Sequence, residues 1–119
     1  MLRPVNLLDA ANAAKALFEY VPVGMCNGQA LHVLQAENRT LDFHAHEESD
    51  ELFYVLEGEF ALELDDGLVP LRQGDLIVVP RGTRHRPVCT SLVKCLLMER
   101  GGTLNPGNTG GSYISKEPT

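Results

Sequence analysis

Short β-rich segments separated by turn signals run through most of this chain. Apolar and β-branched residues fill these segments, and glycine-containing turns such as Glu57-Gly58-Glu59 and Gln73-Gly74-Asp75 divide them. The predicted strands are Gln29–Ala36, Thr40–His46, Glu51–Glu57, Phe60–Leu64, Leu68–Leu71, Asp75–Val79, Arg84–Val88 and Ser91–Glu99. Many short strands at close, regular spacing are typical of a sandwich or a barrel. We therefore expect an all-β protein.

Several of these predicted strands are apolar on both faces. In the third one, Phe53 and Val55 share one face, while Leu52, Tyr54 and Leu56 share the other, because side chains alternate along a strand. A strand with one face in water should instead alternate apolar and polar residues. A second layer must cover the outer face, either an N-terminal helix or a second copy of the chain, and we expect a homodimer.

The N-terminal segment, residues 1–22, is predicted to be helical. Apolar residues recur at helical spacing from Leu7 to Val21. Asn6 is a suitable N-cap residue, because its side-chain oxygen can accept a bond from an amide of the first turn. Pro22 is expected to end the helix.

The rest of the chain divides into a predicted β-barrel over residues 23–100 and a tail over residues 101–119. The tail contains five of the eleven glycines, and this composition indicates a loop rather than core. Tyr113 and Ile114 near its end leave open a second interpretation, that the tail is a lid or an arm onto a partner.

Size and charge exclude several functional classes. The 119 residues suit one domain. The net charge is −6 and tryptophan is absent, whereas proteins that bind nucleic acid usually carry a basic face or aromatic stacking platforms. The longest apolar stretches, such as Leu76–Pro80, are far shorter than the roughly 18 residues of a membrane span. We expect neither a nucleic-acid partner nor a membrane partner.

The cysteines predict a reducing compartment. Cys26, Cys89 and Cys95 are an odd number with no disulfide-framework spacing. The N-terminal segment never develops the apolar run of a signal peptide, because polar residues interrupt it. We expect a cytoplasmic protein with free thiols.

Three histidines and one glutamate form the pattern with the most chemical content. His44 and His46 lie on the same face of a predicted strand, roughly 6.6 Å apart along it. Glu51 opens the next strand, and pairing of the two strands would bring it beside the histidines. His85 begins a later strand. A histidine pair alone is more often surface polarity than a metal site, but three imidazoles and a carboxylate suit a divalent metal.

The spacing of these residues resembles a known family. The first stretch reads His44-x-His46-x4-Glu51-x6-Gly58, and the second reads Gly74-x5-Pro80-x-Gly82-x2-His85. Fifteen residues separate Gly58 from Gly74. These stretches resemble the two signature motifs of the cupin superfamily, in order and at the required spacings.

The resemblance implies a small jelly-roll barrel, also called a double-stranded β-helix, which is often dimeric. It also implies a divalent metal ion, namely iron, manganese, nickel, zinc or copper, at the positions of His44, His46, Glu51 and His85. Members of the family include dioxygenases, isomerases, lyases, ligand sensors and storage proteins. The fold therefore does not specify the reaction.

The sequence departs from the family pattern at two positions. Asn38 stands where the family has a glycine before the histidine pair, and asparagine also tolerates left-handed turn geometry. Cys89 stands where an asparagine usually follows the last histidine. At strand rise Cys89 would lie about 13 Å from His85, so its replacement of asparagine bears on a structural anchor rather than on the metal.

We expect a metalloenzyme that acts on a small anionic or enolisable molecule. One carboxylate against a divalent ion leaves a net charge of +1 on the ligand sphere if the histidines are neutral, which favours such ligands. The alternative is a non-catalytic sensing module or a protein with a structural metal. Inward polar groups in the barrel would favour catalysis, while a closed, apolar site would favour a structural metal.

Two further polar residues have open roles. Asp42 shares the strand phase of His44 and His46, so we expect it to face the barrel interior and to act as an acid–base or substrate-orienting group. The alternative is that strand pairing begins after Asp42 and leaves it at the wet rim. His32 lies between apolar residues, and we expect it to be structural.

Overall fold

The computed structural model describes residues 2–40, 42–106 and 112–114. These ranges contain one helix, α1 at Leu7–Asn12, and eleven strands. The strands are β1 Val21–Cys26, β2 Gln29–Ala36, β3 Arg39–Thr40, β4 Glu51–Glu57, β5 Glu59–Leu64, β6 Gly67–Arg72, β7 Leu76–Val79, β8 His85–Cys89, β9 Val93–Arg100, β10 Leu104–Pro106 and β11 Ser112–Ile114.

Two antiparallel sheets form the body of the protein. The five-stranded sheet has the order β1-β2-β9-β4-β7, and the four-stranded sheet has the order β3-β8-β5-β6. Apart from the hairpins β1-β2 and β5-β6, the strands that neighbour each other in these sheets are distant in sequence, as the crossing connections of a jelly roll require. This arrangement confirms the predicted all-β jelly-roll barrel with a short N-terminal helix.

The core lies between the two sheets and follows the alternation of the strands. In β4 the buried side chains are Glu51, Phe53 and Val55. The buried hydrophobic cluster comprises Phe53, Val55, Phe60, Leu62, Leu71, Val79, Cys89, Val93, Cys95 and Leu97. The predicted inner face of this strand is therefore confirmed.

Helix α1 covers part of the outer face of the five-stranded sheet. Ala11 and Val33 are both fully buried, and the side-chain amide of Gln35 donates a hydrogen bond to the backbone carbonyl of Ala11 at 2.6 Å. Gln35 and Val33 alternate with the inward-facing residues of β2, so the helix packs on the outside of the barrel.

The predicted helix is too long. Asn6 does cap it, since its side-chain oxygen accepts a bond from the amide of Asp9 at 2.9 Å. However, α1 ends at Asn12, and Val21 and Pro22 belong to β1. This strand is at the edge of its sheet, where a proline is tolerated because one side of the strand needs no ladder partner. In the described part of the chain, no helix has the length and apolar character needed to cross a membrane.

The predicted strand Thr40–His46 is also wrong over most of its length. Pairing in β3 stops at Thr40, and His44 contributes only an isolated bridge to His85. Asn38, in the turn before β3, has a φ of +51°, which confirms the left-handed geometry expected there.

The C-terminal segment contains more structure than the predicted loop or tail. Strands β10 and β11 pair in an antiparallel manner, with Leu104 opposite Ile114 and Pro106 opposite Ser112. Residues 107–111 and 115–119 lie outside the described residues. The alternative role of this segment as a lid or an arm onto a partner stays a prediction.

Candidate metal centre

A pair of backbone hydrogen bonds places two of the predicted ligands side by side. The amide of His44 donates to the carbonyl of His85, and the amide of His85 donates to the carbonyl of His44, both at 2.9 Å. Directly opposed residues of an antiparallel pair carry their side chains on the same face. The two imidazole rings accordingly lie with their centroids 4.6 Å apart. His46, two residues further along, has its ring 5.1 Å from that of His44.

Glu51 reaches the histidines from the opposite sheet. It begins β4, whose neighbours are β7 and β9, so the expectation that its strand pairs with the histidine segment is wrong. Its carboxylate instead crosses the barrel interior, with Oε1 2.7 Å from Nε2 of His85 and Oε2 3.4 Å from Nε2 of His46. The site therefore joins the two sheets.

The four predicted ligands form one cluster. Each of His44, His46, Glu51 and His85 offers a ligand atom, and these atoms all lie within 4.8 Å of one another. Three of the side chains are buried, and His44 is half-buried. Imidazole nitrogens and a carboxylate oxygen are the donors that first-row divalent metals take in proteins. The residues present therefore fit a divalent metal ion.

Backbone carbonyls fix how two of the imidazoles face the cluster. Nδ1 of His44 lies 2.9 Å from the carbonyl oxygen of Asp42, and Nδ1 of His85 lies 2.9 Å from that of Thr83. A carbonyl only accepts hydrogen bonds, so each Nδ1 carries the proton and donates it. Nε2 of each ring is then the atom available to a metal, which is the usual role of outer contacts around metal-binding histidines.

The electrostatics of the cluster keep Glu51 ionised. Burial, the largest single effect, raises the pKa of its carboxyl group, but the hydrogen bonds and the charge interactions with His46 and His85 together outweigh burial and lower the pKa to about 2. Burial lowers the pKa of His44, which favours the neutral imidazole. At neutral pH the cluster therefore presents an ionised carboxylate and a neutral His44, the protonation states that metal ligands require.

Asp42 does not face the barrel interior. Its side chain is exposed, because the segment before His44 is not part of a strand and does not keep the expected alternation. The contact of Asp42 with the site is through its backbone carbonyl, which accepts from His44. The expected inward orientation is wrong, and the acid–base role assigned to Asp42 stays a prediction.

A cavity of about 60 Å³ lies in the barrel beside the cluster. Glu51 is the one cluster member that lines it. Arg39 also lines it, and aromatic, aliphatic and cysteine side chains form the rest of its wall. The cavity gives a small molecule a space next to the carboxylate of Glu51.

Cys89, which stands where the family usually has an asparagine, contacts the neighbouring strand β3. It pairs with Arg39 in the register of β3 and β8, and its buried thiol lies 3.6 Å from the backbone carbonyl of Arg39, to which it donates. The thiol thus adds one contact between β3 and β8.

Sequence reasoning missed a second buried carboxylate beside the site. Glu99 is fully buried, and it lies directly opposite Glu51 in the pairing of β4 with β9. The available signal was the alternation of β9, in which Val93, Cys95 and Leu97 share its face. His32, expected to be structural, is fully buried with its ring 5.9 Å from that of Tyr20.

Comparisons with known proteins agree with this geometry. The family described as cupin domain matches residues 30–99. The Bacillus subtilis protein YdbB is 34% identical over 87 residues, covering 72% of this chain and 76% of YdbB. A 3-hydroxyanthranilate 3,4-dioxygenase from Jannaschia sp. is 37% identical over 59 residues, covering 46% of this chain and 32% of that enzyme. A solved cupin-2 domain-containing protein from Shewanella frigidimarina has a TM-score of 0.76 at 23% identity, covering 81% of this chain and 93% of that protein.

Proposed function

Because this chain belongs to the cupin family, we propose that its four-residue cluster holds a divalent metal ion and that the protein is an enzyme. The proposed substrate is a small anionic or enolisable molecule, and the reaction is of the dioxygenase, isomerase or lyase type. The observation that carries the proposal is the convergence of His44, His46, Glu51 and His85 to within 4.8 Å, next to a cavity that Glu51 lines.

The cavity beside the cluster, with the charged side chain of Arg39 in its otherwise apolar wall, supports catalysis over a purely structural metal. A structural site is closed by its ligands, whereas a catalytic site keeps a position open to water or substrate. Here the cavity beside Glu51 also contains the side chain of Arg39. A ligand-sensing protein with no turnover is the alternative, since the same cavity could bind a molecule without converting it.

The chemistry divides between the ion and the side chains. A divalent ion at this cluster would supply Lewis-acid activation of a bound carbonyl group or of water. The protein orients the ligands: the backbone carbonyls of Asp42 and Thr83 fix the rings of His44 and His85. The single carboxylate leaves the ligand sphere with a net charge of +1 when the histidines are neutral, which favours anionic ligands.

The relatives support an enzyme without specifying the reaction. One of them is a 3-hydroxyanthranilate 3,4-dioxygenase, but the matched region spans only 32% of that enzyme. A dioxygenase reaction is therefore one of the three reaction types that we propose.

Metal-dependent turnover tests the proposal. Protein loaded separately with iron, manganese, nickel, zinc or copper is incubated with a panel of aromatic, keto and enol acids. Dioxygen uptake and product NMR spectra are then recorded. We expect turnover with at least one pair of metal and substrate, and a loss of about 100-fold or more in His85→Ala, because removing an outer contact of a metal ligand already costs 10–100-fold. Binding of panel members without turnover under any metal would favour the sensing alternative.

We also propose that the protein is a homodimer. The outer face of β4 and β7 is apolar: Leu76 and Val78 are 55% and 49% exposed, and they lie opposite Tyr54 and Leu52 in the strand pairing. Monomeric proteins rarely leave such contiguous apolar surface in water. A second copy of the chain would cover this patch.

Light scattering should therefore give a mass near twice 13.0 kDa for the wild type. The double substitution Leu76→Lys and Val78→Lys should reduce the mass to that of one chain. Leu68→Lys is the matched control, because Leu68 is 62% exposed but lies on the other sheet. A monomeric wild type at micromolar concentration would contradict the proposed dimer.

The cysteines support the proposed cytoplasmic location. All three are free, with Cys26 exposed and the other two buried. Burial raises the pKa of Cys95 to about 12, so its thiol stays protonated and unreactive at neutral pH.

A further inference from the structure

We propose that Arg39 binds the carboxylate of the substrate, and that the substrate is a small aromatic acid whose ring lies in the barrel cavity. This inference rests on the proposed function and gives its substrate a chemical class. Arg39 and Glu51 both line the cavity, and the wall between them is apolar and aromatic. A molecule that fits this wall has an apolar body and one anionic group.

The guanidinium of Arg39 is oriented by an aromatic ring that leaves its hydrogen-bond donors available. Its central carbon lies 4.4 Å from the centroid of the Phe18 ring. Such stacking uses the face of the planar guanidinium, while the N–H groups project from its edge in the fork that matches a carboxylate. Phe18 therefore positions Arg39 without occupying its donors.

The backbone holds Phe18 in this position. Phe18 has a φ of +65°, a conformation that few residues other than glycine adopt. Its amide donates a hydrogen bond of 2.7 Å to the carbonyl of Gln35 in β2. A non-glycine residue in the left-handed region costs energy and persists where its surroundings determine it. Phe18 and Arg39 together therefore form a defined wall of the cavity.

Arg39 also differs from the paired cations of this acidic protein. Arg81, Arg84, Arg86 and Lys94 form ion pairs with Asp50, Asp65, Glu63 and Glu57. Within residues 2–40 and 42–103, Arg39 forms no ion pair, and neither do Arg3, Lys15, Arg72 and Arg100. Among these five cations, Arg39 is the one that lines the cavity. A cation beside an apolar cavity in a chain of net charge −6 is well placed to select an anion.

The distance along β8 between the position of Arg39 and the metal cluster limits the length of the proposed substrate. Arg39 lies opposite Cys89, and Cys89 is four residues along β8 from His85, about 13 Å at strand rise. The side chains of Arg39 and Glu51 both line the same cavity. The remaining space suits a one-ring acid better than a long-chain acid.

Two probes of the same shape and different charge test the proposal. Binding of benzoate and of benzamide is measured by calorimetry on metal-loaded wild type, Arg39→Gln and Arg84→Gln. Arg84→Gln is the matched control, because that guanidinium also stacks on an aromatic ring, at 4.0 Å from Phe43, but pairs with Asp65 and does not line the cavity.

In the wild type we expect benzoate to bind at least tenfold more tightly than benzamide, about 1.4 kcal/mol. In Arg39→Gln this preference should disappear, while Arg84→Gln should keep it. No binding of benzoate at millimolar concentration, or a preference that survives in Arg39→Gln, would overturn the proposal. The second result would mean that the carboxylate binds at the metal cluster instead.

Elemental analysis of the same samples separates this inference from the proposed function. Arg39→Gln should hold as much metal as the wild type, because Arg39 is not a member of the cluster. A wild type that takes up no metal would defeat the proposed function. The charge preference measured on the metal-free protein would then decide the role of Arg39 by itself.

Discussion

Glu51→Gln and His85→Ala are each expected to abolish stable metal binding. The glutamine keeps the size of the side chain but removes the negative charge, and the alanine removes an imidazole. The loss of an outer contact to a metal ligand typically lowers affinity by 10–100-fold, so the loss of a ligand itself should cost about 100-fold or more. Protein purified without a chelating column should then contain less than about one-tenth of the wild-type metal.

The structure explains why no other group should replace the ligand that either substitution removes. Glu51 and His85 are 2% and 1% exposed, and their atoms Oε1 and Nε2 are 2.7 Å apart. Water cannot easily replace a ligand in so enclosed a position. Glu99, opposite Glu51 in the strand pairing, is the nearest carboxylate in register, but it is not a member of the cluster.

Asp42→Asn is the control for this experiment. Its exposed side chain lies two residues before His44, and its backbone carbonyl, which accepts from His44, is unchanged by the substitution. Asp42→Asn should retain full metal content by elemental analysis. Equal metal content in all variants and the wild type would contradict the assigned ligands. A circular dichroism spectrum like that of the wild type would show that a metal-poor variant is folded.

The ligands could be predicted from the sequence because their spacing carries the information. The pattern His44-x-His46 with Glu51 and His85 at fixed intervals named all four members of the cluster that the structure contains. The path by which Glu51 arrives could not be predicted. Its position across the barrel depends on which strands pair over long distances, and the residues of one strand do not encode the identity of its neighbours.

The end of helix α1 and the position of Arg39 could not be predicted either, because both depend on contacts between residues distant in sequence. The apolar spacing from Leu7 to Val21 fits a helix, but after Asn12 the chain leaves the helix and joins the sheet edge at β1. Packing against β2 decides this outcome, and helical spacing cannot reveal it. Arg39 likewise has no local signal. Its significance comes from the ring of Phe18, twenty-one residues earlier, lying 4.4 Å from it.

Gly58 and Gly74, the glycines of the two motifs, are expected to differ sharply in their tolerance of a methyl group. Both have positive φ, +88° and +91°, so alanine at either position costs about 1–2 kcal/mol of backbone strain. A Cβ at Gly58 would also lie 2.5 Å from the backbone carbonyl oxygen of Leu92, whereas a Cβ at Gly74 meets nothing within 4 Å. Only Gly58→Ala therefore forces the neighbouring backbone at Leu92 to move.

Displacing a packed backbone adds the cost of overpacking, about 1–3 kcal/mol. Gly58→Ala should thus lower the free energy of unfolding by about 2–5 kcal/mol, and Gly74→Ala by only about 1–2 kcal/mol. The contact with Leu92 lies directly before β9, the strand that pairs with both β2 and β4, so the strain reaches the centre of the larger sheet. Urea unfolding of both variants should be measured with a chelator present, because a bound metal adds its own stabilisation. Equal losses in the two variants would mean that the close approach of Gly58 to Leu92 contributes nothing beyond the positive φ.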